Sequence, residues 1–123
     1  MTKHHNKLVR DKIPEIIEKA GKTPVTHILS EEEYITELDK KLGEEFAEYQ
    51  ADKSIEELAD MLEVMYAIAE ARGWSVSELE AVRKSKAEKC GGFKEKIYLE
   101  YVEDGNERKT CNAKRQCSRK FVH

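Results

Sequence analysis

Two pairs of carboxylates are the residues of this chain best placed to do chemistry. Glu45 and Glu48 stand three positions apart within Glu44-Glu45-Phe46-Ala47-Glu48, and Glu57 and Asp60 stand three apart within Glu57-Leu58-Ala59-Asp60. Residues three or four apart lie on one face of a helix. If the two stretches form an antiparallel hairpin, Glu48 falls level with Glu57 and Glu45 with Asp60, on adjacent rungs. Four acids gathered there cannot all stay ionised beside a poorly hydrated interior without cations, because like charges a few Å apart repel by kcal/mol amounts. All-oxygen ligands suit a hard ion, Mg²⁺ with Mn²⁺ as a possible substitute, and Mg²⁺ keeps waters that can meet substrate phosphates. A diiron bundle would need Glu-x-x-His motifs. None is present, the histidines being His4, His5, His27 and His123. Each acid also has an ordinary use: Glu57 as a capping partner of Ser54, Asp60 as a first-turn acid favoured by the helix dipole, Glu45 and Glu48 as solvated charges.

The elements that must position these acids are helical. Punctuation at residues 21–24, 52–54, 73–75 and the Gly91-Gly92 pair divides the chain into four helical pieces. The first is expected over Ile13 to Ala20, with Pro14 in its opening turn. The others begin at Ser-x-x-Glu capping boxes, Ser30 with Glu33, Ser54 with Glu57 and Ser75 with Glu78, and should cover Glu31 to Ala51, Ile55 to Arg72 and Val76 to Lys89. Val25 to Leu29 reads as extended and Ile97 to Val102 as a short strand that could pair with it.

In the second helix Ile35, Leu38, Leu42, Phe46 and Tyr49 form one apolar stripe. Glu45 lies about 60° and Glu48 about 120° from its centre on one flank, while Glu44 lies nearly opposite. The third helix carries one stripe of Ile55, Leu58, Leu62, Tyr66 and Ala69, and a second of Met61, Val64 and Ile68. Glu57 and Asp60 continue the second strip toward the helix start. Such a helix should be buried nearly all round, which implies a packing partner beyond the hairpin.

Composition agrees with an all-α fold. The 123 residues are 38% charged, with two Pro and six Gly, a poor fit to a turn-rich β-sandwich. No apolar run nears the roughly 20 residues of a membrane span, and no signal-peptide pattern opens the chain, so a soluble cytoplasmic protein without membrane contact is expected. One domain is expected over residues 1–104, followed by a basic, flexible tail over 105–123. The net charge of −3 divides into −8 before Gly105 and +5 from there on. The acidic body argues against nucleic acid as a partner. Cys90, Cys111 and Cys117 are odd in number and lack CxxC spacing, which points to free thiols rather than a disulfide framework or a zinc site.

Taken together, Glu44-Glu45-Phe46-Ala47-Glu48 and Glu57-Leu58-Ala59-Asp60 resemble the EExxE and ExxD pair of the MazG-like all-α nucleoside triphosphate pyrophosphatases. Asn6-Lys7-Leu8-Val9-Arg10-Asp11-Lys12-Ile13-Pro14, and Lys86-Ala87-Glu88 followed by Gly91-Gly92-Phe93, look like the phosphoribosyl-ATP pyrophosphohydrolase-like branch. The likeness spans roughly residues 6–103. It implies a helical bundle, dimeric or tetrameric, that hydrolyses a nucleotide between its α and β phosphates and releases pyrophosphate. It also implies that Glu45, Glu48, Glu57 and Asp60 ligate Mg²⁺. Related sequences commonly place Arg before the paired glycines, where this chain has Cys90. On this reading Glu45 or Glu48 acts as the helper base for an attacking water, and Lys7, Arg10, Lys12, Lys86 and Lys89 are candidates to clamp the polyphosphate. The alternative is a non-catalytic helical module that binds nucleotide, or nucleic acid through the basic tail.

Overall fold

The computed structural model describes residues 3–104; the expected basic tail lies outside the described residues. Four helices and no strand form among them: α1 (Ile13–Lys19), α2 (Glu31–Ala51), α3 (Ile55–Ala71) and α4 (Val76–Cys90). The chain divides into two compact units that meet at Val76 and Ser77, and each is described by itself.

In the first unit, α2 and α3 pack on one another across the short link of residues 52–54. Arg72, just past α3, reaches Asp39 in the first half of α2 at 3.2 Å, whereas Asp60 near the start of α3 lies by Glu45 near the end of α2. The two helices therefore run in opposite directions. Both starts follow from their caps. The Ser30 hydroxyl accepts from the Glu33 amide at 3.2 Å while the Glu33 carboxylate accepts from the Ser30 amide at 3.1 Å, a complete capping box. At α3 the Ser54 hydroxyl accepts from the Glu57 amide at 3.4 Å, and the return bond from the Glu57 side chain is not made. Gly73 ends α3 with φ +93°, a left-handed conformation that favours glycine, so that the Trp74 amide can turn back to the Ala69 carbonyl.

The contact between α2 and α3 buries Leu38, Val64 and Ala69, with Leu38 only 3% exposed. Ile35, Leu42, Met61, Tyr49 and Ile68 are half-buried around them. The strip that α3 turns to α2 is thus the one that contains Glu57 and Asp60. Much of its other stripe is uncovered: Ile55, Leu58 and Leu62 are exposed, as are Phe46 of α2 and Met65, while Tyr66 is half-buried and Ala69 buried at the far end. Among the described residues the near-complete burial expected for the middle of α3 is thus reached on the strip that faces α2. A single neighbour covers one strip of a helix, and the second needs another surface.

In the second unit, α4 has no buried residue. Gly91 donates its amide to the Ala87 carbonyl at 2.8 Å with φ +85°, so it serves as the stop of α4. Cys90 is disulfide-bonded, which corrects the expectation of a free thiol there. Residues 97–102 form no strand, and neither do residues 25–29. Lys96, at φ +59°, closes a turn with its amide donating to the Phe93 carbonyl at 3.2 Å, and the side chains of Ile97 and Tyr98 stand in solvent.

Candidate metal centre

Three of the four acids converge. Ligand oxygens of Glu45, Glu57 and Asp60 all lie within 4.8 Å of one another, the one such group of His, Cys, Asp or Glu among the described residues. Glu45 comes from the buried flank of α2 and is 7% exposed. Glu57 and Asp60 come from the first turns of α3. Glu48 is exposed and is not in this set, but with Glu45 and Asp60 it lines one cleft of about 280 Å³. The rest of the lining is Lys7, Val9 and Arg10 from the segment that leads into α1, Ile13 at the first position of α1, and Lys41 of α2.

The electrostatics of the group are unbalanced. The Glu57 carboxyl is pushed above its ordinary range by loss of hydration, and next by the charges of Glu48, Asp60, Glu45 and Asp52. Glu45 Oε2 and Glu57 Oε2 are buried without a hydrogen-bond partner, a costly arrangement for a carboxylate. Two cations offset part of the charge. Arg10 holds Asp60 Oδ1 at 2.6 Å, and Lys41 approaches Glu45 Oε1 at 3.4 Å and Glu44 at 3.6 Å. Carboxylate oxygens a few Å apart, from residues two of which keep an unpartnered buried oxygen, fit a hard divalent cation.

The other sequence candidates are placed less closely. Lys12 is exposed at the start of α1 and does not line the cleft. Lys86 and Lys89 lie on α4 in the second unit, beside Ala81, Val82 and Ser85. Glu44 is exposed, is not a member of the acid group and pairs with Lys41. Lys41 escaped the sequence reading, although its spacing of three and four residues from Glu44 and Glu45 on one helix was a legible signal.

Comparison with known proteins adds little about function. An uncharacterized protein of Mycolicibacterium smegmatis is 57% identical over 44 residues, which make up 36% of this chain and 45% of that relative. The matched stretch therefore spans less than half of the relative. No family model matches the chain, and no solved structure matches it.

Proposed function

We propose that this chain is a Mg²⁺-dependent nucleotide pyrophosphohydrolase, a MazG-like helical bundle whose α2–α3 hairpin carries the metal site. Its substrate on this reading is a nucleoside triphosphate or a phosphoribosyl-ATP-like nucleotide, cut between the α and β phosphates. The observation that carries the proposal is the convergence of Glu45, Glu57 and Asp60, two of which keep a buried oxygen without a partner, at a cleft that Glu45, Glu48 and Asp60 line together with the basic side chains of Lys7 and Arg10. The acids suit a divalent cation and the basic side chains suit phosphate.

Glu45, Glu57 and Asp60 would hold the cation, and Glu48 at the exposed edge of the same cleft would complete the set or act on water. A Mg²⁺ ion held there would supply positive charge to offset that of the phosphate oxygens and of the departing pyrophosphate. Glu48 is solvent-exposed, so it can accept the proton of a water as the water's oxygen bonds to phosphorus and the phosphoanhydride bond breaks. Glu45, the more buried, could take the same role if Glu48 ligates. Lys7 and Arg10 grip the polyphosphate from the lining of the same cleft. The uncovered stripe of Phe46, Ile55, Leu58, Leu62 and Met65 supports a homodimer or homotetramer as the working form.

The test is pyrophosphate release from a panel of nucleotides with and without Mg²⁺. Asp60→Ala should lower the Mg²⁺-dependent rate by about 100-fold or more, since charge stabilisation by a metal contributes several kcal/mol. Equal rates for wild type and Asp60→Ala would remove this site from the reaction.

A further inference from the structure

The contact between Arg10 and Asp60 bears on the order in which ligands enter the cleft. Arg10 donates to Asp60 Oδ1 at 2.6 Å and Lys41 lies 3.4 Å from Glu45 Oε1, so two of the three converging carboxylates already have a monovalent counter-ion. Glu45 is a separate sign that the cleft takes a ligand: it is 7% exposed, lines the cleft and keeps Oε2 unpartnered. Arg10 is held loosely by comparison. Its side chain is 57% exposed and that of Asp60 38%, the solvated kind of ion pair that contributes little. A doubly charged ion among three carboxylates attracts Asp60 more strongly than one guanidinium does and repels that guanidinium. The backbone of Arg10 stays anchored, because its carbonyl accepts from the Ile13 amide at 3.1 Å at the entry to α1. A guanidinium released from Asp60 therefore remains on the cleft wall beside Lys7, and its planar fork suits two phosphate oxygens at once.

We propose that Arg10 is an exchangeable counter-ion that neutralises Asp60 in the metal-free protein, yields it to a divalent cation, and then takes a phosphate of the substrate. This rests on the metal-site reading above and adds an order to it, metal before phosphate. Arg10 thereby becomes a sensor of metal loading, and substrate phosphate is gripped well only where the cation is already in place.

The test uses the full chain with Mn²⁺ alone, free ion being counted by its paramagnetic resonance signal, and then Mn²⁺ with inorganic pyrophosphate. Arg10→Gln removes the competitor and should bind Mn²⁺ about threefold to tenfold more tightly than wild type. It should also bind Mn²⁺–pyrophosphate about tenfold or more weakly, because the charged fork is gone. Arg10→Lys keeps a cation and should restore the wild-type Mn²⁺ affinity and part of the pyrophosphate binding. Unchanged helical circular dichroism shows that the variants fold. Mn²⁺ affinity that is unchanged or weaker in Arg10→Gln overturns the exchange, and unchanged pyrophosphate binding overturns the grip. Failure of the metal site itself looks different: wild type and Glu45→Gln would then bind Mn²⁺ equally weakly.

Discussion

Glu33 and Glu57 occupy the same position of the same Ser-x-x-Glu motif, yet they have opposite electrostatics. Glu33 reaches back to the Ser30 amide, and the bonds from Ser30 hold its carboxyl below the usual range. Glu57 leaves its amide to Ser54 but keeps its carboxylate for the acid group, where lost hydration and Glu48 push it up. A carboxyl whose pKa is raised in the folded state favours the fold most below its ordinary value of 4.5 and loses that contribution as pH rises through the raised value. Ionised Glu57 thus destabilises the metal-free protein at neutral pH. Glu57→Gln should raise the thermal midpoint in chelator at neutral pH and leave it nearly unchanged in acid. With Mn²⁺ present the order should reverse, since the wild type gains more from the bound ion. Thermal unfolding at the two pH values, with and without Mn²⁺, reads all four arms. A lower midpoint for the variant in neutral chelator would mean that Glu57 stabilises the fold and is not held there against repulsion.

At the scale of the helix, the caps set both the register and the starts. Ser30 closes a two-bond box, whereas Ser54 makes a single long bond. Ser30→Ala should therefore cost about 1 kcal/mol and Ser54→Ala less, in urea unfolding; the reverse order would mean that the α3 cap matters more than its geometry indicates. These caps are also why the helices were legible in the sequence. A serine followed three positions later by glutamate is a local signal, and α2 begins and ends where its pattern placed it. The juxtaposition of Glu45 with Asp60 was readable for the same reason: a three-residue link between periodic helices leaves little freedom in how they align. What was not legible depended on competition between distant groups. No periodicity tells whether the Glu57 side chain will return to its cap or turn to Glu45, or that Arg10, fifty positions away in sequence, will sit on Asp60. The weak alternation of Ile97 to Val102 misled because a strand exists only with a ladder partner, and neither this segment nor residues 25–29 forms one.

At the scale of the whole molecule, the balance of buried and exposed apolar surface is the feature that asks for an explanation. Only Leu38, Val64 and Ala69 are buried hydrophobics among the described residues, while Ile55 remains 77% exposed. Phe46, Leu58, Leu62 and Met65 are also uncovered on the hairpin. Each large apolar side chain moved fully from water contributes about 1.5–3 kcal/mol. Packing the half-exposed ones against a second copy of the chain would contribute a fraction of that each. Leu62 lies on the stripe of α3 opposite the strip that holds Glu57 and Asp60, so a change there separates assembly from the acid group. Leu62→Glu places a charge that an apolar interface would have to desolvate. It should reduce a wild-type dimer or tetramer to monomer and make the melting midpoint independent of protein concentration. Sedimentation of both proteins at tens of micromolar decides the matter, and a monomeric wild type would rule out the face as a self-interface. Mn²⁺ binding measured on the same variant carries the argument to the site. If the monomer binds the ion as the wild type does, the carboxylates of one chain suffice. If binding falls with the mass while the helices persist, the second copy completes the site or holds α3 in place against α2.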